Sequence, residues 1–339
     1  MKRIFVTGGT GFLGSYLLRY LVQGGGVRVR ALKRANSDMR LVVPVADQIE
    51  WIEGDILDIS VLEDAMQDVD QVYHAAAIVS YSPNDRDQMH EVNVQGTANV
   101  VDVALDSNIK KLVYVSSIAA LGRIPKSNRL DERAEWQGDE GQSQYAITKY
   151  LAELEVWRGI AEGLNAAMIN PSVILGGGFW KRGTGKLFMN AWKAFSFYPQ
   201  GGTGFVDVRD VAKAAIRLMQ SDITAERYII NGANWSYKEQ MDAMSSTLGK
   251  KSPRIKVTPI IQEVAWRAAA LSSLLLRRTP FITKETARMS ANRFYYDASK
   301  SIADLNLSYT PLGQTIQETA QLLKKAAKDG FAPKYLPLN

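Results

Sequence analysis

The chain has 339 residues, no cysteine, two histidines (His74 and His90), 41 basic against 35 acidic side chains and a net charge of +6. It offers no disulfide framework and no thiolate metal site, and with so few imidazoles no metal is expected. The basic excess is not gathered into a patch interleaved with stacking aromatics, so nucleic-acid binding is not expected and small anionic ligands account for the charge equally well. A hydrophobic content of 46% is enough for a large core, or one core plus a smaller lobe. The start Met1-Lys2-Arg3 has only a superficial likeness to a secretion signal, because a strand and glycine turn follow at once; a cytoplasmic protein is expected.

In chain order, Ile4-Phe5-Val6-Thr7 is an apolar run that enters Gly8-Gly9-Thr10-Gly11-Phe12-Leu13-Gly14. A buried parallel strand reads this way. Three glycines three apart then suit a pyrophosphate cradle. Gly8 permits the tight turn, Gly11 the close approach of phosphate, and Gly14 the packing of a helix on the sheet. The free N–H groups at that helix start face an anion. Val27 to Leu32 is the second strand, ending in Lys33-Arg34. NAD-specific folds place an acid near here for the ribose hydroxyls, whereas this chain has two cations and no acid before Asp38. Arg34 is the better candidate for a 2′-phosphate, since a guanidinium grips phosphate bidentately. NADP(H) is therefore the expected cofactor, with NAD(H) the alternative.

Gln48 to Gly54 holds a third strand, followed by Asp55 and Ile56, where an acid can accept from the adenine amino group. Val69 to Ala75 is a fourth, ending in His74-Ala75-Ala76-Ala77, small residues that leave room for a flat cofactor. His74 reads as a packed strand residue. Glu91 to Leu105 is a helix carrying Asn93, and Lys110 to Ser116 a strand ending in Ser116-Ser117. Leu121 to Gln144 is polar and aperiodic, a loop over the site. Tyr145 opens a helix to about Glu162, with Lys149 on the same face. Ala166 to Ile169 is a strand, followed by Asn170-Pro171-Ser172-Val173. Beyond Gly176 the chain becomes aromatic and apolar, then offers a strand at Phe205-Val206-Asp207-Val208, a helix from Val211 to Met219, and a strand at Tyr228 to Gly232. Ser236 with Glu239 forms a capping box for a helix ending near Gly249. Gln262 to Leu276 is a strongly apolar helix, too short for a bilayer (~20 residues) and interrupted by Glu263 and Arg267. Burial against a neighbouring lobe is expected for it, with attachment to a membrane surface the alternative. Two further helices close the chain, a short one at Ser301 to Leu305 and an amphipathic one at Leu312 to Lys325.

Ser117, Tyr145 and Lys149 form a set with its own chemistry. A phenol, with a pKa near ~10, is a poor base at neutral pH. A lysine ammonium one turn along the helix, with a positive oxidised nicotinamide, favours phenolate. Tyr145 then takes a proton from an alcohol as hydride leaves carbon, or donates one to a carbonyl, while Ser117 holds the same oxygen.

This order of motifs resembles the extended short-chain dehydrogenase/reductase family. The resemblance is carried by Thr7 to Gly14, Gly54-Asp55, Asn93-Val94-Gln95-Gly96-Thr97, Val115-Ser116-Ser117, Tyr145-Ala146-Ile147-Thr148-Lys149 and Phe205 to Ala212. It implies an α/β fold, a doubly wound parallel sheet of about seven strands with a smaller C-terminal substrate lobe. It implies that Gly8, Thr10, Gly11, Phe12, Leu13, Gly14, Arg34, Asp55, Ile56, Ala75, Ala76, Ala77, Tyr145, Lys149, Pro171 and Val173 contact the cofactor. It implies that Ser117, Tyr145 and Lys149 are catalytic, with Asn93 completing a tetrad through a water near Lys149, and that the protein is a homodimer through the helices beginning near Asn93 and Tyr145. Ile118 and Ala119 stand where the dehydratases of the family carry an acidic pair, which argues against dehydration. Ile169 to Gly176 looks more like the dihydroflavonol 4-reductases, and the apolar late segment echoes 3β-hydroxysteroid dehydrogenases. Residues 1–175 are expected to form the dinucleotide-binding core and 176–339 mainly the substrate lobe, with 204–232 returning to the core sheet. The expected function is hydride transfer between NADP(H) and a ketone or aldehyde with an apolar body, or the reverse. An epimerase with tightly held cofactor, and a non-catalytic NADP(H) sensor or scaffold, are the alternatives.

Overall fold

The structure, a computed structural model, describes residues 1–124, 127–258 and 290–338 together with Ile261, Glu263, Trp266 and Arg267. Among the described residues, fourteen strands run in chain order. They are β1 (Lys2–Thr7), β2 (Val27–Lys33), β3 (Ile49–Glu53), β4 (Gln71–His74), β5 (Lys111–Val115), β6 (Arg129–Leu130), β7 (Ala166–Pro171), β8 (Val173–Leu175), β9 (Phe197–Tyr198), β10 (Gly202–Asp207), β11 (Arg227–Ile230), β12 (Ala233–Ser236), β13 (Ile255–Lys256) and β14 (Tyr295–Tyr296).

Seven of them form one sheet in the order β11-β7-β5-β4-β1-β2-β3, and each neighbouring pair is parallel. The apolar runs end up here because both faces of such a sheet are covered. Helix α1 (Phe12–Gly24) and helix α7 (Val208–Gln220) cover one face, where Leu17, Leu18, Val211 and Ala215 join Ile4, Val6 and Val113. Helices α2 (Ile59–Met66), α4 (Gly96–Asp106) and α5 (Gln144–Ala161) cover the other, where Leu62, Val100, Ala152 and Val156 join Phe5, Val72 and Leu112, and a short helix α3 (Arg86–His90) precedes α4 in the chain. Strand order reverses between β1 and β4, so their carboxyl ends diverge into separate crossovers. Ligands of doubly wound sheets bind at that place.

The strand expected at Phe205 does form, but as β10 in a second sheet of order β12-β10-β8. The expected return of 204–232 to the core sheet is therefore made by α7 and β11 alone. The cause is the end of β7. Pro171 offers no N–H to a neighbouring strand, and the chain leaves the sheet after it to pair Val173 with Phe205. The lobe's own core gathers Trp180, Phe188, Phe205, Met244, Ile316 and Leu323. It is shaped by α6 (Gly185–Trp192), α8 (Tyr237–Leu248) and a final helix, Leu312–Lys328. The capping box holds as expected: Ser236 and Glu239 satisfy each other's backbone N–H groups, and Gly249 closes α8 in the left-handed region at φ 69°. Most of the apolar segment from Gln262 to Leu276 lies outside the described residues. Among the described residues no helix is long and apolar enough to cross a membrane.

Candidate active site

The site is built on the reversal point. Gly8 has φ +72°, and a Cβ there would lie 2.6 Å from the backbone of Ala75 and Ala76. A Cβ on Gly14 would sit 2.1 Å from the Gly8 carbonyl oxygen. Both positions exclude side chains because backbone crosses backbone, which seats the start of α1 against the ends of β1 and β4. Gly11 is exposed and caps α1 without a side-chain hydrogen bond, and the first turn holds no acid. The Gly11 N–H donates to the Gly8 carbonyl at 3.0 Å, which tightens the turn, and this acid-free helix start fits an anionic pyrophosphate. Thr10 and Phe12 are half-buried beside it, and Leu13 is buried under the helix. Ala75 and Ala76 bond back to Thr7, through N–H groups 3.2 Å from its carbonyl and 3.3 Å from its hydroxyl, and Ala77 is exposed.

At the end of β2 the two cations part company. Lys33 pairs with Glu53 at 2.8 Å. The Arg34 side chain is exposed, and among the described residues nothing pairs with it. Its backbone N–H donates to the Ser37 hydroxyl at 2.9 Å, so a guanidinium and a hydroxyl share one turn. Asp38, the first acid after the strand, binds Arg40 and Arg182 at 2.7 and 2.8 Å. The hydrogen bonds from Arg40 hold its carboxyl down at about 2. Asp55 is half-buried and accepts from the Leu57 N–H at 3.1 Å. Ile56 is buried against Gly96, where a Cβ would meet it at 2.4 Å.

At the carboxyl end of β5, Ser117 caps a short turn through the Ala119 N–H and lies near the Tyr145 side chain. Helix α5 places that tyrosine in its first turn because the Ser143 side chain caps it, accepting from the Ala146 N–H at 3.1 Å. Burial pushes the Tyr145 phenol well above its usual range, and Tyr81, whose ring stands edge-on at 6.0 Å, adds to the rise; the nearby Ser117 hydroxyl opposes it. Lys149 lies one turn on, 1% exposed. Its ammonium donates to the Tyr114 hydroxyl and to the Val115 carbonyl at 3.0 Å, so it points toward β5. Burial lowers it to about 7, with Glu153 opposing. Pro171 is buried at the end of β7 and Val173 half-buried at the start of β8.

Asn93 occupies a π-helical turn, Glu91–Gln95, and is buried. Its side chain is held by both backbone groups of Ile78 at 2.7 and 2.9 Å and donates to the Thr148 hydroxyl at 3.1 Å. Its amide is therefore tied to the loop after β4 and to the residue beside Lys149. Sequence reasoning missed two residues of this set. Glu153 repeats the four-residue step of Tyr145 and Lys149, and its buried carboxylate accepts from Asn170 and from Arg227, the latter at 3.2 Å. Tyr114 looked like an ordinary strand residue, three places before Ser117. Its alternation onto the face that carries His74 was the available signal.

The sequence profile of the NAD dependent epimerase/dehydratase family matches residues 4–231. The chain belongs to that family. Over 93% of its length it is 32% identical to a Synechocystis protein that carries a dihydroflavonol 4-reductase name, and it covers 92% of that protein. The crystal structure of gox2253 superposes with a TM-score of 0.82 at 29% identity, covering 97% of this chain and 99% of the other. The DesIV dTDP-glucose 4,6-dehydratase of Streptomyces venezuelae, solved with NAD bound, has a TM-score of 0.79 at 19% identity over 99% of this chain and all of its own, a likeness of fold. This family member is thus a Rossmann-fold, cofactor-using enzyme related to the dihydroflavonol reductase-like and hydroxysteroid dehydrogenase-like branches.

Proposed function

We propose that this enzyme is an NADP(H)-preferring oxidoreductase that interconverts a ketone or aldehyde and an alcohol, with Tyr145 as general acid and base. The observation that carries the reading is the buried Tyr145 phenol, set near Ser117 at the carboxyl edge of the sheet with Lys149 one turn behind it. The glycine turn Gly8 to Gly14 would hold the pyrophosphate, and Pro171 and Val173 would line the nicotinamide. The cofactor, when bound, gives or takes the hydride. Ser117 fixes the substrate oxygen by a hydrogen bond, and Tyr145 delivers the proton to that oxygen in reduction or removes it in oxidation. The buried phenol is protonated at neutral pH, the form a reductase needs before its proton transfer. The ammonium of Lys149 lowers the cost of the phenolate that remains.

NADP(H) is favoured by what surrounds Arg34. The neighbouring acid Asp38 is neutralised by two arginines, leaving no free carboxylate to accept from ribose hydroxyls. An apolar substrate body is favoured by the rings gathered near Tyr145. Tyr81 packs on it, Tyr81 also lies near Tyr237 and Tyr296, and Tyr237 packs edge-on against Phe205. Ile118 and Ala119 supply no acid to expel a hydroxyl, so dehydration is not supported. The deciding experiment is a screen of ketones and aldehydes followed by NADPH absorbance. Oxidation of NADPH by an apolar carbonyl is expected. A protein that isolates with non-exchanging cofactor and inverts a sugar hydroxyl without net NADPH loss would overturn the reading in favour of an epimerase.

A further inference from the structure

Below Tyr145 lies a run of polar side chains that hydride transfer does not itself call for. The Lys149 ammonium donates to the Tyr114 hydroxyl at 2.5 Å, and Tyr114 lies near Thr97 and stacks on His74 with ring centroids 5.3 Å apart. Thr97 Oγ1 lies 2.9 Å from His74 Nε2, and His74 Nδ1 lies 2.7 Å from Thr7 Oγ1. Thr7 Oγ1 in turn accepts from the Ala76 N–H. Thr7, His74, Thr97 and Tyr114 are all 0% exposed.

The protons in this run have only one arrangement. Thr97 has a single hydroxyl hydrogen, and it goes to the Asn93 carbonyl at 2.6 Å. Thr97 therefore accepts from His74. His74 must carry its proton on Nε2, leaving Nδ1 to accept from the Thr7 hydroxyl. The bonds from Thr7 through His74 and Thr97 to the Asn93 carbonyl thus run in one direction. An ammonium has only donors, so Tyr114 accepts from Lys149.

We infer that Tyr114 is a positioning residue, clamping the Lys149 ammonium to the floor of the site by a direct hydrogen bond, beside the one-way hydrogen-bond network of Thr7, His74 and Thr97. The inference rests on the proposed function for its consequence, but not for its geometry. A phenol that accepts from an ammonium stabilises its charged form. Other ionisable groups facing that amine are Glu153 and Tyr145 from α5 and His74 from β4, with Arg227 of β11 behind Glu153. The buried imidazole is neutral, held down at about 3 by burial and by the Lys149 charge, so Glu153, the Tyr114 hydroxyl and the Val115 carbonyl are left to support the ammonium.

Two measurements test the inference. With two histidines in the chain, the imidazole nitrogens of 15N-histidine-labelled protein are assignable once His90→Gln removes one set. Without cofactor, His74 should show the Nε2–H tautomer and remain neutral at pH 5. An Nδ1–H tautomer, or a His74 that protonates near its usual pKa, overturns the network. Second, Tyr114→Phe should move the Lys149 amine titration, followed by 15N-lysine labelling with Lys149→Met as the blank, down by about one pH unit, the scale of one charge-assisted hydrogen bond. The alkaline limb of the kcat/KM profile should move with it, while NADPH affinity holds. An unmoved titration in folded Tyr114→Phe protein overturns the clamp. A wild-type protein that turns over no carbonyl or alcohol defeats the functional reading instead, and leaves both spectra to be judged by themselves.

Discussion

Two buried cations in this molecule are treated in opposite ways. Arg209, at the start of α7, is locked between Asp207 at 2.7 Å and Glu318 at 2.8 Å, and Asp207 also accepts from Thr315 at 2.7 Å. Burial works against its charge, but the two carboxylates more than offset that and raise it further. Lys149, on α5, is as deeply buried, yet its direct partners are a phenol and a carbonyl, with Glu153 acting only from a distance. Its charge is only half secured near neutrality. The difference separates a fastener from a working group. A buried cation with all its donors met by anions holds elements together, whereas one left short of compensation is available to change state.

Breaking the fastener should give the largest effect. Arg209→Met leaves Asp207 buried without its cation, and urea unfolding should show a loss of about 3–5 kcal/mol. The opposite behaviour is expected of Lys149→Met. Its folded pKa, about 7, lies below the unfolded value, so above pH 7 the unfolded chain holds a proton that the folded one lacks. Wild-type stability should therefore climb relative to the variant as pH rises from about 7 toward 10, with a limiting slope of about 1.4 kcal/mol per unit. A flat difference across that range would mean that the amine is fully charged in the fold, as Arg209 is. Smaller still is the effect at the exposed Arg34. Titration with NADPH and NADH should show a preference for NADPH that shrinks roughly tenfold in Arg34→Ala, and equal preferences in both proteins would remove the charge argument. The proposed homodimer through α4 and α5 is checked by sedimentation. Leu154 on α5 is 42% exposed in the single chain, and Leu154→Glu should shift a dimer toward monomer. A monomeric wild type would remove that proposal.

The same contrast explains what could be read in the sequence. Strands β1 to β5 fall within about two residues of their expected bounds, because a parallel strand buried on both faces must be apolar throughout. The glycine turn and the Ser236 capping box were legible because each is a local rule acting over three or four residues. The short pairings were not. Strand β14 joins β6 through Tyr295 and Arg129, and β13 joins β9 through Ile255 and Phe197. Two-residue strands carry no periodicity, and their partners are far away in the chain. The candidate site divides similarly. Ser117, Tyr145 and Lys149 follow from motif order, but the partners of Lys149 on β5 do not, since they depend on which face of β5 meets α5. The expectation that Lys149 acts on the phenol passes over the stronger effect of burial, which raises Tyr145.

The most direct measurement is turnover by Tyr145→Phe, a change that removes one hydroxyl from a ring packed against Tyr81. NADPH should bind with unchanged affinity while carbonyl reduction falls by roughly a hundredfold or more. A variant that reduces the same substrate at the wild-type rate would contradict the assignment of Tyr145 as the group that handles the proton.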